Sequence, residues 1–222
     1  LSTTHFGALL IAIAVAIIPL TRRHFWPSFA CSVFLLWFAL AHRSQVPSGS
    51  LNVTFMDVGQ GDSALVQGEQ TVLIDGGRGE RDVVHHLRRV GVTSIDEVVL
   101  THPHQDHYGG LFAVIGELSV EALRVPRPPL QEEYEYSELF HLAALRGVRV
   151  LYPWDPSEGE MEVIHPTSLE QVSELSVNDA SIVFTISKGS STILFTGDVE
   201  LVAERLLAAD LTHVSVLKVA HH

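Results

Sequence analysis

The acidic residues of this chain are confined to its second part. The chain therefore consists of two segments that differ in composition and are not expected to share one fold. All 26 Asp and Glu residues lie in residues 51–222, whereas residues 1–50 carry Arg22, Arg23 and Arg43 and no acid. The whole 222-residue chain has a formal net charge of −12, and removing those three positive charges leaves −15 for residues 51–222. An apolar, mildly basic segment and an acidic domain must therefore be explained separately.

Two apolar runs, residues 6–20 and 25–41, make up most of the first segment and are joined by four polar residues. A bilayer span needs about 20 residues, with about 17 as the lower limit, so the second run is just long enough and the first is short. Neither run has the polar face that a packed soluble helix shows. We predict a transmembrane helical hairpin over residues 1–43, followed by a polar linker over residues 44–50.

The arginine pair at residues 22–23 also fits the start of a secretory signal, with Ala39-Leu40-Ala41 as its cleavage site. Both interpretations place the following domain outside, because arginine-rich loops stay in the cytoplasm. We expect a piece of a longer multi-pass protein of the cell membrane. Its acidic domain would lie on the periplasmic or extracellular side and be truncated at its C-terminus.

Strand and helix patterns alternate through residues 51–222. Short β-branched or alternating apolar runs between Gly-rich turns predict strands, and apolar residues three and four apart predict helices. One helix is predicted over residues 106–117. Strand-rich stretches at both ends, with helices between them, favour a layered α/β sandwich.

A dense group of polar residues follows the predicted strand 97–100 and reads Thr101-His102-Pro103-His104-Gln105-Asp106-His107. His102 and His104 point to one side of an extended segment, and Asp106 and His107 begin a helix that aims them at the same point. This spacing predicts two ligand pairs for two adjacent divalent ions. Imidazole and carboxylate without thiolate suit zinc and allow manganese or iron. The single cysteine, Cys31, excludes a Cys-cluster site.

H-x-H-x-D-H after a strand resembles the signature of the metallo-β-lactamase superfamily, which implies an αββα sandwich around two metal ions. Asp75 resembles its first motif, Asp198 the aspartate that bridges two metals, and His221, or less closely His222, the last histidine ligand. The resemblance implies Asp106 and Asp198 as catalytic carboxylates. The implied metal ligands are His102, His104, Asp106, His107, Asp198 and His221.

One position departs from that pattern, because Asn178-Asp179-Ala180-Ser181 stands where a histidine ligand is usual before the strand leading to Asp198. The ligand that this histidine usually supplies stays open between Asn178 and the upstream region of His165. Asn178 either contacts metal or substrate or caps a strand, and Lys218 either holds a phosphate or is solvated.

Two aspartates at Gly-rich turns are expected to have supporting roles. Asp75 is expected to orient a ligand histidine from behind. Asp62, in the turn at residues 59–62, is expected to shape a hairpin rather than to line the site.

Six spaced motifs resemble the C-terminal domain of the ComEC family of DNA-import membrane proteins. They are D-V-G-Q-G-D-S from residue 57, L-I-D-G-G from 73, T-H-P-H-Q-D-H from 101, N-D-A-S from 178, L-F-T-G-D from 194 and L-K-V-A-H-H from 217. The resemblance implies a nuclease that cleaves phosphodiesters of the non-imported DNA strand. Its implied partners are DNA, as a single strand, membrane lipid and the other domains of a full-length protein.

Charge argues against tight DNA binding by this domain alone. Nonspecific affinity comes from Lys and Arg at phosphates, and two bound divalent ions return only about +4 against −15. Productive contact with DNA is expected to need either the other domains of a longer protein or a local basic patch such as Arg124, Arg127, Arg146 and Arg149. Two alternatives stay open: a non-catalytic structural part of a DNA-import channel, and a hydrolase of another surface phosphodiester.

Overall fold

The computed structural model describes residues 29, 31–34, 49–79, 82–208 and 214–220. The chain divides into two units, Leu1–Gln45 and Val46–His222, and the architecture given below is that of the second. Among the described residues, no helix is long and apolar enough to cross a bilayer. The predicted spans lie outside the described residues except for helical positions 29 and 31–34, so the membrane hairpin stays a prediction.

The described part of the second unit contains ten strands and six helices. The first half runs through β1 (Asn52–Phe55), β2 (Ala64–Gln67), β3 (Thr71–Ile74), α1 (Asp82–Arg89), β4 (Ser94–Val99), α2 (Gln105–Tyr108), α3 (Leu111–Glu117) and β5 (Ser119–Arg124). The second half runs through α4 (Tyr134–Arg146), β6 (Arg149–Leu151), β7 (Met161–His165), α5 (Leu169–Glu174), β8 (Val183–Lys188), β9 (Ser191–Phe195), α6 (Leu201–Leu207) and β10 (Val216–Lys218).

The strands form two sheets. One has the order β1-β2-β3-β4-β5-β6, antiparallel from β1 to β3 and parallel from β3 to β6. The other has the order β10-β9-β8-β7, in which β10 is parallel to β9 and the remaining pairs are antiparallel. Because β3 and β4 run parallel, the segments that follow them leave the sheet at the same edge, where ligand sites of such sheets form.

Side chains of the first sheet alternate between two cores, as the two-residue period of a strand requires. Leu73 and Val98 pack into a core with residues of α1, α3 and α4. Val72 faces the other way, into a core with Phe184 and Phe195 of the second sheet. On the far side of that second sheet, β8 and β9 pack against α6. The layers run helix, sheet, sheet, helix, and the expected α/β sandwich is confirmed.

Residues 106–117 do not form the single helix that the sequence predicts. The N–H of Gly76 donates to the carbonyl of His107 at 2.7 Å, and the N–H of Gly110 donates to the carbonyl of Gly77 at 3.0 Å. The carbonyl of His107 and the N–H of Gly110, which would take part in a continuous helix, are thus bonded to the loop after β3. A Cβ on Gly110 would lie 2.1 Å from the carbonyl oxygen of Gly76. This tertiary contact divides the helix and presses α2 against that loop.

Two glycine substitutions test this close approach. Gly110→Ala should lower the free energy of unfolding by about 1–3 kcal/mol, because the new methyl group overpacks the loop. Gly116→Ala, in the next helix, should raise it by about 0.5–1 kcal/mol, because nothing lies within 4 Å of its Cβ position. Urea unfolding of the two purified variants measures both, and equal effects would contradict the contact.

Candidate metal centre

Three fully buried side chains converge from separate segments at the edge where β4 and β9 end. His102 follows β4, His107 lies in α2, and Asp198 follows β9; each is 0% exposed. Each offers one ligand atom, and the three atoms lie within 4.8 Å of one another. Nε2 of His107 lies 3.3 Å from Oδ2 of Asp198, and Nε2 of His102 lies 3.8 Å from the same oxygen. Two imidazoles and one carboxylate therefore lie close together.

The remaining predicted ligands lie beside this group or outside the described residues. Nδ1 of His104 is 3.0 Å from Nε2 of His102, whereas half-buried Asp106 is not one of the three converging residues. The structure thus gathers one member of each predicted pair around Asp198. His221 and His222 lie outside the described residues, and the choice between them stays a prediction.

Asp75 supports His107 from behind. Its Oδ2 is 2.9 Å from Nδ1 of His107, and its two oxygens accept the N–H and the hydroxyl of Thr101, each at 2.8 Å. A carboxylate on Nδ1 fixes the ring so that Nε2 faces outward, here toward Asp198. Asp75 has a φ of +55°, an uncommon conformation for a residue other than glycine and one concentrated at functional sites. The supporting contact expected of Asp75 is present.

The charge around His107 favours a cation. Burial by itself lowers the pKa of His107, but the carboxylates of Asp75 and Asp198 outweigh it and raise that pKa to about 10. Metal ions are bound by buried imidazole and carboxylate groups of this kind. Because these donors converge and one ring is already oriented, the residues present fit a divalent ion such as zinc or manganese.

Binding of zinc near pH 7 should release about one proton from His107, because a ligand imidazole must be neutral. The ring carries that proton in the metal-free protein below a pH of about 10, and the release should fall toward zero as the pH rises through that value. Titration calorimetry in buffers of different ionisation enthalpy measures the number of protons. A heat independent of the buffer near pH 7 would contradict the raised pKa.

Lys218 approaches Asp198 from another direction. Its Nζ is 4.0 Å from Oδ1 of Asp198, donates to Oδ2 of Asp62, and donates to the carbonyl of Gly197 at 3.4 Å. Lys218 is therefore not a solvated strand-end lysine. Asp62 also differs from its expected role. Its side chain forms an ion pair with Lys218 and therefore lies at the edge of the site.

Neither candidate for this open ligand position belongs to the group of three. Nδ2 of Asn178 donates to Oε1 of Glu200 at 2.9 Å, and Nε2 of His165 donates to the carbonyl of Asp179 at 2.7 Å. Burial lowers the pKa of His165, which keeps the ring neutral with its proton in that hydrogen bond. Both residues make structural contacts in the described part of the chain.

Thr101 was missed by the sequence reasoning although it directly precedes the histidine motif. Its hydroxyl and N–H hold Asp75, and its carbonyl accepts the N–H of Ile182 at 2.8 Å. It therefore connects the first sheet, the histidine segment and the approach to β8. The available signal was a hydroxyl residue between the apolar run Val98-Val99-Leu100 and the first histidine of the motif.

Two of the four arginines suggested as a local basic patch, Arg124 and Arg127, are engaged by carboxylates, whereas Arg146 and Arg149 are exposed. Arg124 is 0% exposed and its Nε donates to Oε1 of Glu97 at 2.6 Å. The two terminal nitrogens of Arg127 donate to the two carboxylate oxygens of Glu133 at 2.7 and 2.6 Å. A buried guanidinium and one paired with a carboxylate cannot supply free positive charge to such a patch.

The sequence of this chain is similar to those of several known proteins. The chain is 29% identical over 199 residues to Competence protein ComA of Neisseria gonorrhoeae, covering 86% of this chain and 26% of that protein. It is 27% identical over 198 residues to ComE operon protein 3 of Bacillus subtilis, covering 77% and 25%. It is 43% identical over 58 residues to Ribonuclease Z of Aeropyrum pernix, covering 25% and 18%.

The chain thus spans about a quarter of the length of the first two of these relatives, and they confirm the resemblance to the ComEC family. A sequence profile of the metallo-beta-lactamase superfamily matches residues 56–220, which include His102, His107 and Asp198. The match covers most of the chain, and the chain therefore belongs to the metallo-β-lactamase superfamily.

Proposed function

We propose that residues 51–222 form a metal-dependent hydrolase domain that cleaves phosphodiester bonds of DNA. The observation that carries the proposal is the buried convergence of His102, His107 and Asp198, with Asp75 behind one ring. The similarity to Competence protein ComA and to ComE operon protein 3, relatives that support the ComEC resemblance, favours DNA uptake as the setting. The short similarity to a protein named Ribonuclease Z favours a phosphodiester as the substrate.

The side chains of the site have two roles. Some would bind the metal ions, and others place a charged or hydrogen-bonding group beside them. His102, His107 and Asp198, which converge in the structure, would hold divalent metal, and His104, Asp106 and His221 would supply the further ligands that two ions need. Bound divalent ions supply a Lewis acid and lower the pKa of water toward about 7.

Outer contacts keep these donors in place. Asp75 keeps the His107 ring fixed by accepting from Nδ1, so Nε2 needs no reorientation when an ion arrives. Lys218 holds an ammonium 4.0 Å from Asp198, where it would attract a phosphate oxygen of the substrate.

The surface charge indicates how DNA reaches this site. With −15 on residues 51–222, and with Arg124 and Arg127 engaged by carboxylates, the domain offers little of the positive charge that binds phosphates. We infer that other domains of a longer protein, on the outer side of the cell membrane, bring a single strand of DNA to it. The same observation favours a second candidate function, hydrolysis of a smaller surface phosphodiester.

The test is cleavage by the purified chain in detergent micelles with manganese. We expect slow, metal-dependent products from end-labelled single-stranded DNA, inhibited by chelator and weakened by salt because phosphate contacts release counterions. Bis(p-nitrophenyl) phosphate serves as a small diester in parallel. Cleavage of the small diester alone would favour the second candidate. Bound metal with no product from either substrate would favour a structural part of a DNA-import channel.

A further inference from the structure

The segment that stands in place of a histidine ligand surrounds the turn that carries Asp198. The antiparallel register of β8 and β9, continued past its last pair, places Ser181 opposite Asp198 and Asp179 opposite Glu200. Side-chain acceptors here replace the carbonyls of the ladder. The N–H of Asp198 donates to Oγ of Ser181 at 3.2 Å, and the N–H of Glu200 donates to Oδ1 of Asp179 at 3.0 Å. We call Asp179 and Ser181 the bracket.

Asp179 also holds the helix that follows Asp198. The same Oδ1 accepts the N–H of Ala203 at 3.0 Å, which satisfies a donor in the first turn of α6 that no helical carbonyl can reach. Its Oδ2 accepts the hydroxyl of Ser176 at 3.2 Å, and its carbonyl accepts from His165 at 2.7 Å. Asp179 is 4% exposed. Oδ2 of Asp179 is therefore held by Ser176, while Oδ1 holds the backbone at the start of α6.

Ser181 closes the turn from beneath. A Cβ on Gly197 would lie 2.7 Å from Cβ of Ser181 and 3.0 Å from Cβ of Thr101, so there is no room for a side chain at the residue before Asp198. Ser181 is 0% exposed. The turn is bonded to the bracket at its backbone and packed against the residue that begins the histidine segment.

We propose that Asp179 and Ser181 are positioning residues that hold the Asp198 carboxylate where a divalent ion requires it. The inference rests on the metal centre of the proposed function. Residues that orient metal ligands through hydrogen bonds typically contribute about 10–100-fold to metal affinity. In this chain, the segment that supplies a ligand elsewhere in the superfamily acts on the metal through Asp198.

The test measures zinc affinity of the purified chain by competition with a chromophoric chelator. Asp179→Ala removes the acceptor of two N–H groups and should weaken zinc binding by about 10-fold or more. Asp179→Asn keeps Oδ1 as an acceptor and should stay close to wild type. Ser181→Ala removes the acceptor of the Asp198 N–H and should also weaken binding. An equal loss in Asp179→Asn would contradict the proposal, because the charge and not the hydrogen bonds would then matter.

Ser168→Ala is the matched control, since Oγ of Ser168 accepts the N–H of Gln171 at the start of α5, outside the bracket. It should leave zinc affinity unchanged. Wild-type affinity in folded Asp179→Ala and Ser181→Ala would overturn the proposal. If Asp179→Ala does not fold, Ser181→Ala decides. Zinc binding without any hydrolysis by the wild type would contradict the proposed function and leave the bracket intact, whereas absence of zinc binding would overturn both.

Discussion

Asp198→Ala should remove most of the bound metal and lower phosphodiester hydrolysis by at least about 100-fold, the cost of losing one group that stabilises charge at a reacting centre. The carboxylate lies 3.3 Å from His107 and 3.8 Å from His102, so its loss leaves two imidazoles without the anion that draws a cation between them. Elemental analysis and steady-state rates on the same preparations measure the two effects.

The fold should survive this substitution. Asp198 lies on a turn after β9 rather than in the apolar cores, and circular dichroism should match wild type. Equal rates from wild type and Asp198→Ala would show that the activity arises elsewhere, either at another site or from a contaminant. Unchanged metal content with a lost rate would show that Asp198 acts on the substrate and not on the ion.

Asp75→Asn should weaken metal affinity by about 10–100-fold although Asp75 is not expected to touch the ion. The amide nitrogen would replace an oxygen that accepts from Nδ1 of His107 and from the hydroxyl of Thr101. The His107 ring would then lose its fixed orientation. Zinc competition measures the change, and Asp96→Asn is the control, because Asp96 is a carboxylate that accepts the N–H of Thr71.

The same variant has a signature in proton release. The Asp75 carboxylate raises the pKa of His107, so Asp75→Asn should lower that pKa from about 10 in the metal-free protein. Fewer protons should then be released when zinc binds near neutral pH. Wild-type zinc affinity combined with wild-type proton release would contradict the role assigned to Asp75.

The layered fold could be predicted because strand and helix periods are local properties of the sequence. The division of the helix at residues 106–117 could not, since hydrogen bonds from Gly76 and to Gly77 override the local preference. These partners lie about thirty residues upstream, and only the parallel pairing of β3 with β4 brings them to the helix.

The ligand types of the site could also be predicted from the sequence, whereas the contacts that hold Asp198 in place could not. The ligand types at His102, His107 and Asp198 follow from motifs, and so does the support from Asp75. The contacts of Asp179 and Ser181 depend on the register of β8 against β9, which no sequence period reveals. Likewise, Arg124 looks like a surface cation until Glu97 of the neighbouring strand is placed beside it.

We propose above that the group around Asp198 is a metal-dependent phosphodiesterase centre. The most direct measurement titrates the metal-free chain with manganese while recording p-nitrophenolate release from bis(p-nitrophenyl) phosphate. We expect a rate that rises in proportion to bound metal and saturates when the metal positions around Asp198 are filled, with no rise for Asp198→Ala. Stoichiometric metal binding by the wild type with no rise in rate would contradict it.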